Sequence, residues 1–240
     1  MTISLVLPCY NEVENLPATV DDVSAWFRTR EVSGEIIAVN DGSTDGTGSL
    51  LRDLATRHAR LRIVDHPTNR GYGHAVRSGC DAAETSWVGF MDSDGQFRAE
   101  DLDRLTPHMV GHDFVVGIRE GRADPLVRKL NTGLYTLLIR AVLGVRVRDP
   151  NCAMKLFTRD AWSRMRPRYG LGALFNAELF QRAQAEGIAW KPVPVRHYPR
   201  RHGQATGADP KVIARMFREL LALRREMARE VARASVADRA

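Results

Sequence analysis

Residues 87–96 read Trp-Val-Gly-Phe-Met-Asp-Ser-Asp-Gly-Gln, an apolar run that stops at two carboxylates spaced i, i+2. A strand over Trp87–Met91 that runs into a turn leaves Asp92 and Asp94 at the carboxyl end of a sheet. Open α/β folds bind their ligands there. Two carboxylates beside the amide oxygen of Gln96 suit a hard divalent cation, Mg²⁺ or Mn²⁺, which keeps positions open for phosphate oxygens. Taken alone, the stretch also fits an ordinary turn built from Asp, Ser and Gly. It is not a calcium loop of the EF-hand type. Counted from Asp92, the sixth position is Phe97 rather than glycine, and the twelfth is Asp103 rather than glutamate.

The surrounding pattern sets the fold class. Ile3–Leu7, Glu35–Asn40, Leu61–Asp65 and Asp113–Ile118 join Trp87–Met91 as short β-rich runs. Between them, Glu14–Arg30, Gly46–His58, Gly73–Glu84 and Glu100–His108 carry apolar residues at helical spacings. Such alternation predicts an α/β fold with a mainly parallel sheet and helices on both faces. Right-handed crossovers then gather the loops after each strand along one rim. Further on, the spacing predicts helices over Pro125–Val142 and Leu174–Ala185, strands over Ala153–Phe157 and Ala189–Val195, and a long helix from Pro210 toward Ala234.

Three more segments fall on that rim. Pro8-Cys9-Tyr10-Asn11-Glu12 offers a Tyr10 ring to stack on a base and a Glu12 carboxylate to accept ribose hydroxyls. The plainer reading is a helix start with Asn11 as its cap. In Asp41-Gly42-Ser43-Thr44-Asp45-Gly46-Thr47, Asp41 is placed to accept ring N–H groups of uracil or guanine, and Asp45 or Thr47 to cap the next helix. Asn69-Arg70-Gly71-Tyr72-Gly73-His74 puts Arg70 near the phosphates, and its glycines allow close backbone approach or a helix start. It is no dinucleotide fingerprint, because Val76 stands at the third glycine position, and no P-loop sequence exists.

Together, P-x-Y-N-E, D-G-S-x-D-G-T, N-x-G-x-x-x-A and D-x-D-x-Q resemble family-two glycosyltransferases of the GT-A fold. Gly117-Ile118-Arg119, Arg128-Lys129-Leu130-Asn131-Thr132, Arg148-Asp149-Pro150-Asn151-Cys152 and Pro199-Arg200-Arg201-His202-Gly203 look like the polyprenyl-phosphate branch, the dolichol-phosphate mannosyltransferase-like enzymes. The likeness spans roughly residues 3–207. It implies that Pro8, Tyr10, Glu12 and Asp41 hold the nucleoside, and that Asp92, Asp94 and Gln96 hold the metal on the diphosphate. It further implies that Arg119, Arg128 and Thr132 grip an acceptor phosphate while Arg200 closes over the donor phosphates. The chain departs from that branch at Ala205 and Thr206, where Ser and Lys are usual, and at Cys152-Ala153-Met154.

Elementary chemistry leads toward the same reaction class. Sugar transfer from a nucleotide diphosphate (GDP-mannose or UDP-glucose type) needs leaving-group charge neutralised, which a metal on Asp92 and Asp94 helped by Arg200 would do. A hydroxyl acceptor also needs a general base. A phosphate monoester, with its second pKa near about 6, needs cations to position it, and Arg119, Arg128 and Lys129 are candidates. Taken with the resemblance, which implies inversion and a polyprenyl acceptor, the expected activity is inverting, metal-dependent hexosyl transfer to a polyprenyl (dolichyl or undecaprenyl) phosphate. Transfer to a hydroxyl of another lipid or a polysaccharide is the alternative. A sugar-nucleotide nucleotidyltransferase fits less well, since its usual Gly-rich, Lys-containing first loop is here Pro-Cys-Tyr-Asn-Glu.

Composition agrees. The 240 residues are 44% hydrophobic and carry 35 basic against 29 acidic side chains, a net charge of +6 that favours anionic partners. Without zinc-finger spacing or aromatic-interleaved basic stretches, nucleic acid is the less expected partner. Three scattered cysteines and no 18-residue apolar run suggest a cytoplasmic protein, expected here at the inner face of a membrane. Residues 1–209 are expected to form the GT-A domain and 210–240 a basic amphipathic helix. Its stripe of Val212, Ile213, Met216, Phe217, Leu220, Leu221, Leu223 and Met227 is ringed by arginines. That helix suits either an anionic membrane surface or packing against its own domain or a second subunit, so a membrane partner and a homo-oligomer both stay open.

Overall fold

The computed structural model describes residues 2–120, 126–172, 174–200 and 219–230, with the side chains of 126–132 outside that description. Seven strands form one sheet in the order β3-β2-β1-β4-β6-β5-β7. They are β1 (Thr2–Cys9), β2 (Ser33–Asp41), β3 (Leu61–His66), β4 (Trp87–Phe90), β5 (Phe114–Glu120), β6 (Lys155–Thr158) and β7 (Trp190–Arg196). The chain steps outward from β1 to β2 and β3, then returns to place β4 on the other side of β1. A crevice opens at this reversal, because loops leaving adjacent strand ends diverge there.

Four of the six pairings are parallel, as the alternation predicts; β6 alone runs antiparallel, between β4 and β5. Ile3, Leu5, Val6 and Leu7 are all buried, as are Ile36 through Val39. Continuous rather than alternating burial means both faces of these strands are covered. β7 tolerates Pro192 and Pro194 because it is the sheet edge.

The helices are α1 (Leu16–Thr29), α2 (Thr47–Arg57), α3 (Tyr72–Ala82), a single turn α4 (Leu102–Leu105), α5 (Leu126–Leu143), α6 (Arg159–Met165) and α7 (Phe175–Ala185). The helix expected over Glu100–His108 is broken into two 3₁₀ turns flanking α4, and Pro107 accounts for the second break. Helix α6, seven residues capped by the Thr158 hydroxyl, is too short to show a period in sequence. Asn11 does not cap α1. It adopts a left-handed conformation (φ 54°), which Asn accommodates more readily than most side chains, and its Oδ1 accepts from the Thr44 amide at 2.8 Å.

Of the expected C-terminal helix, residues 219–230 are described and helical. Leu220, Leu223 and Met227 are buried, and Glu230 pairs with Arg182 and Arg168, so this part of the apolar stripe packs against its own domain. Val212, Ile213, Met216 and Phe217 lie outside the described residues. Among the described residues, no helix is long and apolar enough to cross a membrane.

Candidate active site

A cleft of about 540 Å³ lies at the reversal between β1 and β4, lined by Pro8, Tyr10, Glu12, Asp41, Asp92, Asp94 and Arg200 from the predicted set. Cys9, Asn11, Asn69, Tyr72, Ala75 and Ser93 complete its wall. A larger cavity of about 650 Å³ lies between α5, α7 and residues 219–230, but its carboxylates, Glu186 and Glu230, are each held by arginines. Convergent polar groups, rather than volume, mark the functional site.

The loops that build the wall are stapled to one another. Asp45 accepts from the Thr47 amide and hydroxyl at 3.0 and 2.6 Å and from the Val13 amide at 3.2 Å, donors that hold its carboxyl below the usual range even though burial works the other way. The Glu12 amide donates to the Thr47 hydroxyl at 3.0 Å. The loop after β1 is thus fixed by the loop after β2. At the third loop, Gly42 (φ +66°) brings its Cα so close to the 68–69 backbone that a Cβ would sit 2.3 Å from the Thr68 carbonyl carbon. Only glycine allows this approach, which sets Asn69 beside Asp41.

The carboxylates occupy distinct environments. Asp92 Oδ1 is sealed from solvent and has no hydrogen-bond partner among the described residues. Burial pushes its carboxyl up to about 7 and the Asp94 charge adds to this, while a hydrogen bond from Tyr72 and the charges of Arg119 and Lys155 oppose it. An orphaned, buried carboxylate oxygen beside a second carboxylate is costly unless a cation meets it. Asp94 Oδ1 accepts from the Gln96 amide at 3.0 Å, and its Oδ2 lies 4.0 Å from Arg200 Nη1. Glu12 is bonded through one oxygen to Asn15 at 2.7 Å and through the other to Arg200. Its carboxyl is raised, burial outweighing Asn15 and Arg200.

Other predicted residues fall outside the cleft wall. The Gln96 amide nitrogen donates to the Tyr198 carbonyl at 3.3 Å, and the Gln96 carbonyl accepts from the Tyr198 amide at 2.9 Å. Gln96 thereby holds the segment that carries Arg200 through its side-chain nitrogen and its backbone carbonyl. Arg70 is exposed, and its side chain lines a neighbouring recess with His74 and Tyr169; its backbone amide serves the site by donating to Asp41 at 3.0 Å. Arg119 makes a bidentate pair with Asp149 at 2.8 and 2.7 Å. Its charge is therefore largely balanced within the protein. The side chains of Arg128 and Thr132 lie outside the described residues.

Sequence reasoning missed one buried group near the aspartates. Lys155 is fully buried, paired with Phe90 across the β4/β6 register, and its ammonium donates to the Pro150 and Cys152 carbonyls. Burial lowers it to about 8. The signal was a lone lysine inside the apolar run Ala153–Phe157. Glu178 accepts from the backbone amides of Arg168, Tyr169 and Gly170 and from Arg182, fixing the loop that faces α3. Gly73 lets α3 approach that loop, since a Cβ there would sit 2.5 Å from the Leu171 carbonyl oxygen.

The strand order and the carboxylates at its reversal define the GT-A class of nucleotide-diphospho-sugar transferase fold. A structure of glucosyl-3-phosphoglycerate synthase from Mycobacterium tuberculosis with Mn²⁺, UDP-glucose and phosphoglyceric acid superposes with a TM-score of 0.67 at 23% identity, over 93% of this chain and 79% of that one. The chain belongs to glycosyl transferase family 2, whose family model matches residues 4–166. A dolichyl-phosphate beta-glucosyltransferase of Trichomonas vaginalis is 31% identical over 66% of this chain and 54% of its own length. An undecaprenyl-phosphate 4-deoxy-4-formamido-L-arabinose transferase of Pseudomonas fluorescens is 30% identical over 90% of this chain and 62% of its own. The chain thus spans a little over half the length of these relatives.

Proposed function

We propose that this chain transfers a sugar, with inversion, from a nucleoside-diphosphate donor to a polyprenyl phosphate. The observation that carries the reading is the buried, unpartnered Asp92 Oδ1 beside Asp94, in the cleft that also holds Tyr10, Glu12 and Asp41. Two curated relatives, named for dolichyl- and undecaprenyl-phosphate acceptors, support the acceptor class. Asp92, Asp94 and the amide oxygen of Gln96, whose nitrogen is bonded to the Tyr198 carbonyl, would hold Mg²⁺ or Mn²⁺. The cation would supply charge neutralisation at the departing diphosphate.

The chain's own groups do the remaining work. Tyr10, almost half exposed at the cleft mouth, offers its ring to the base. Arg200, tethered by Glu12 and close to Asp94, is placed to meet diphosphate oxygens. The acceptor phosphate oxygen forms a bond to the anomeric carbon from the face opposite the diphosphate. The bond from that carbon to the β-phosphate oxygen breaks, and its electron pair leaves with the nucleoside diphosphate. No base is needed, because the acceptor is already an anion near neutral pH. Arg119, fixed by Asp149, and Arg128 and Thr132 on α5 would receive that phosphate. Such an acceptor brings the protein to a bilayer surface, proposed here as the inner face, and exposed Arg224, Arg225 and Arg229 suit anionic lipid.

The test is incubation of the full chain with Mn²⁺, a panel of nucleotide sugars, a short polyprenyl phosphate and a hydroxyl-bearing lipid, with products identified by mass spectrometry. A glycosyl phosphoprenol with release of nucleoside diphosphate is expected. Transfer to the hydroxyl lipid alone would overturn the acceptor assignment.

A further inference from the structure

Resting on the acceptor reading above, we propose that Lys155 is a positioning residue for sugar transfer: its buried ammonium pins the 149–152 turn and, through Asp149, fixes the direction of the Arg119 guanidinium. Lys155 opens β6 directly after that turn. Its side chain folds back so that Nζ donates to the Pro150 carbonyl at 3.1 Å and to the Cys152 carbonyl, and both carbonyls converge on one cation. The residue is fully buried, with Nζ 5.0 Å from the Phe90 ring centre and 5.5 Å from that of Phe180. Among the described residues it pairs with no carboxylate. A charge withdrawn from water carries a desolvation penalty that an apolar side chain filling the same space would avoid. What the charge supplies here is its hold on the turn.

The turn in turn holds Arg119. Asp149 Oδ2 accepts from the Arg119 amide at 3.2 Å and from its Nε at 2.8 Å, and Oδ1 accepts from Nη2 at 2.7 Å. Three bonds to one carboxylate fix both the end of β5 and the rotation of the guanidinium, whose planar fork then directs its Nη1 side away from Asp149. β5 meets the turn a second time. The Gly117 amide donates to the Met154 carbonyl at 2.8 Å, and a Cβ on Gly117 would lie 2.9 Å from Cys152 Sγ. Without the ammonium, the Pro150 and Cys152 carbonyls lose their shared donor in a buried place. A turn that rearranges to satisfy them moves Asp149, and Arg119 with it. The loops after β1 and β2 are held separately, through Asp45 and Thr47, so the displacement falls on the acceptor side of the site.

The experiment compares the full wild-type chain with Lys155→Met in Mn²⁺, using farnesyl phosphate as acceptor and, as donor, the nucleotide sugar that the wild type turns over. Lys155→Met, unbranched and apolar, is expected to raise the KM for farnesyl phosphate about tenfold and to leave the donor KM within about twofold. Asp149→Asn is expected to act in the same way. The double variant should be no worse than Asp149→Asn alone, since both substitutions cut one chain of contacts. Should Lys155→Met not fold, Lys155→Gln, which keeps a neutral donor, carries the same pattern at smaller amplitude. Equal rises in both KM values, additive effects in the double variant, or a lower melting temperature with both KM values unchanged would overturn the positioning role and leave the acceptor reading in place. If the wild type transfers no sugar to farnesyl phosphate, the two fall together.

Discussion

Asp92 is the residue on which the chemistry turns. Its carboxyl stands at about 7 against an ordinary 3.8, so the metal-free protein binds a proton there that the unfolded chain would release. By linkage, Asp92 removes stability as pH rises through that window, and its ionised form becomes tolerable only once a cation is bound. Mn²⁺ should therefore raise the melting temperature more at about pH 8 than at about pH 5.5, and the difference should vanish in Asp92→Asn. An equal shift at both pH values would contradict this role. Asp94→Ala is expected to lower turnover by about a hundredfold or more, since it removes the second carboxylate from the cation; steady-state kinetics at saturating Mn²⁺ reads this out.

At the scale of elements, the site depends on loops held in register by glycine and by buried charge. Gly73→Ala would force a Cβ into the Leu171 carbonyl and is expected to destabilise the fold by about 1–3 kcal/mol in urea unfolding. Glu178→Gln removes the charge that answers Arg182 and weakens bonds to three backbone amides. A loss of about 2–4 kcal/mol is expected, with the donor Kd little changed because Glu178 lies outside the cleft wall. The elements themselves were largely legible, because β-α alternation is written in hydrophobic period. The acidic turn at Asp92 and Asp94 was legible for the same reason: an apolar run that ends in carboxylates marks a strand end. The direction of side chains was not. Arg119 is claimed by an aspartate thirty positions away, which no local pattern reports, and Arg70 contributes its amide rather than its guanidinium. Lys155 was visible as an oddity, but its burial follows from β6 entering antiparallel between β4 and β5.

Across the whole molecule, one sheet places three acidic loops around a single crevice, and the C-terminal helical stretch braces the far end of α7. Repulsion among Glu12, Asp41, Asp92 and Asp94 is partly offset within the protein. His66 and backbone amides answer Asp41, and Arg200 answers Glu12 and lies 4.0 Å from Asp94. The buried Asp92 oxygen beside Asp94 is the natural seat of an added cation. The stretch 219–230 turns Leu220, Leu223 and Met227 inward, so Leu223→Ala should cost about 2–5 kcal/mol in unfolding. Truncation after residue 218 should likewise destabilise the domain before it affects lipid binding. Liposome co-sedimentation beside thermal melts separates the two effects. The central claim is that these two carboxylates bridge through a divalent ion to a diphosphate. Electron–nuclear double resonance on Mn²⁺ tests it most directly: ³¹P couplings should appear when nucleoside diphosphate is added to the wild-type chain and disappear in Asp94→Ala. Couplings absent from the wild type, or undiminished when Asp92 and Asp94 are both replaced, would contradict it.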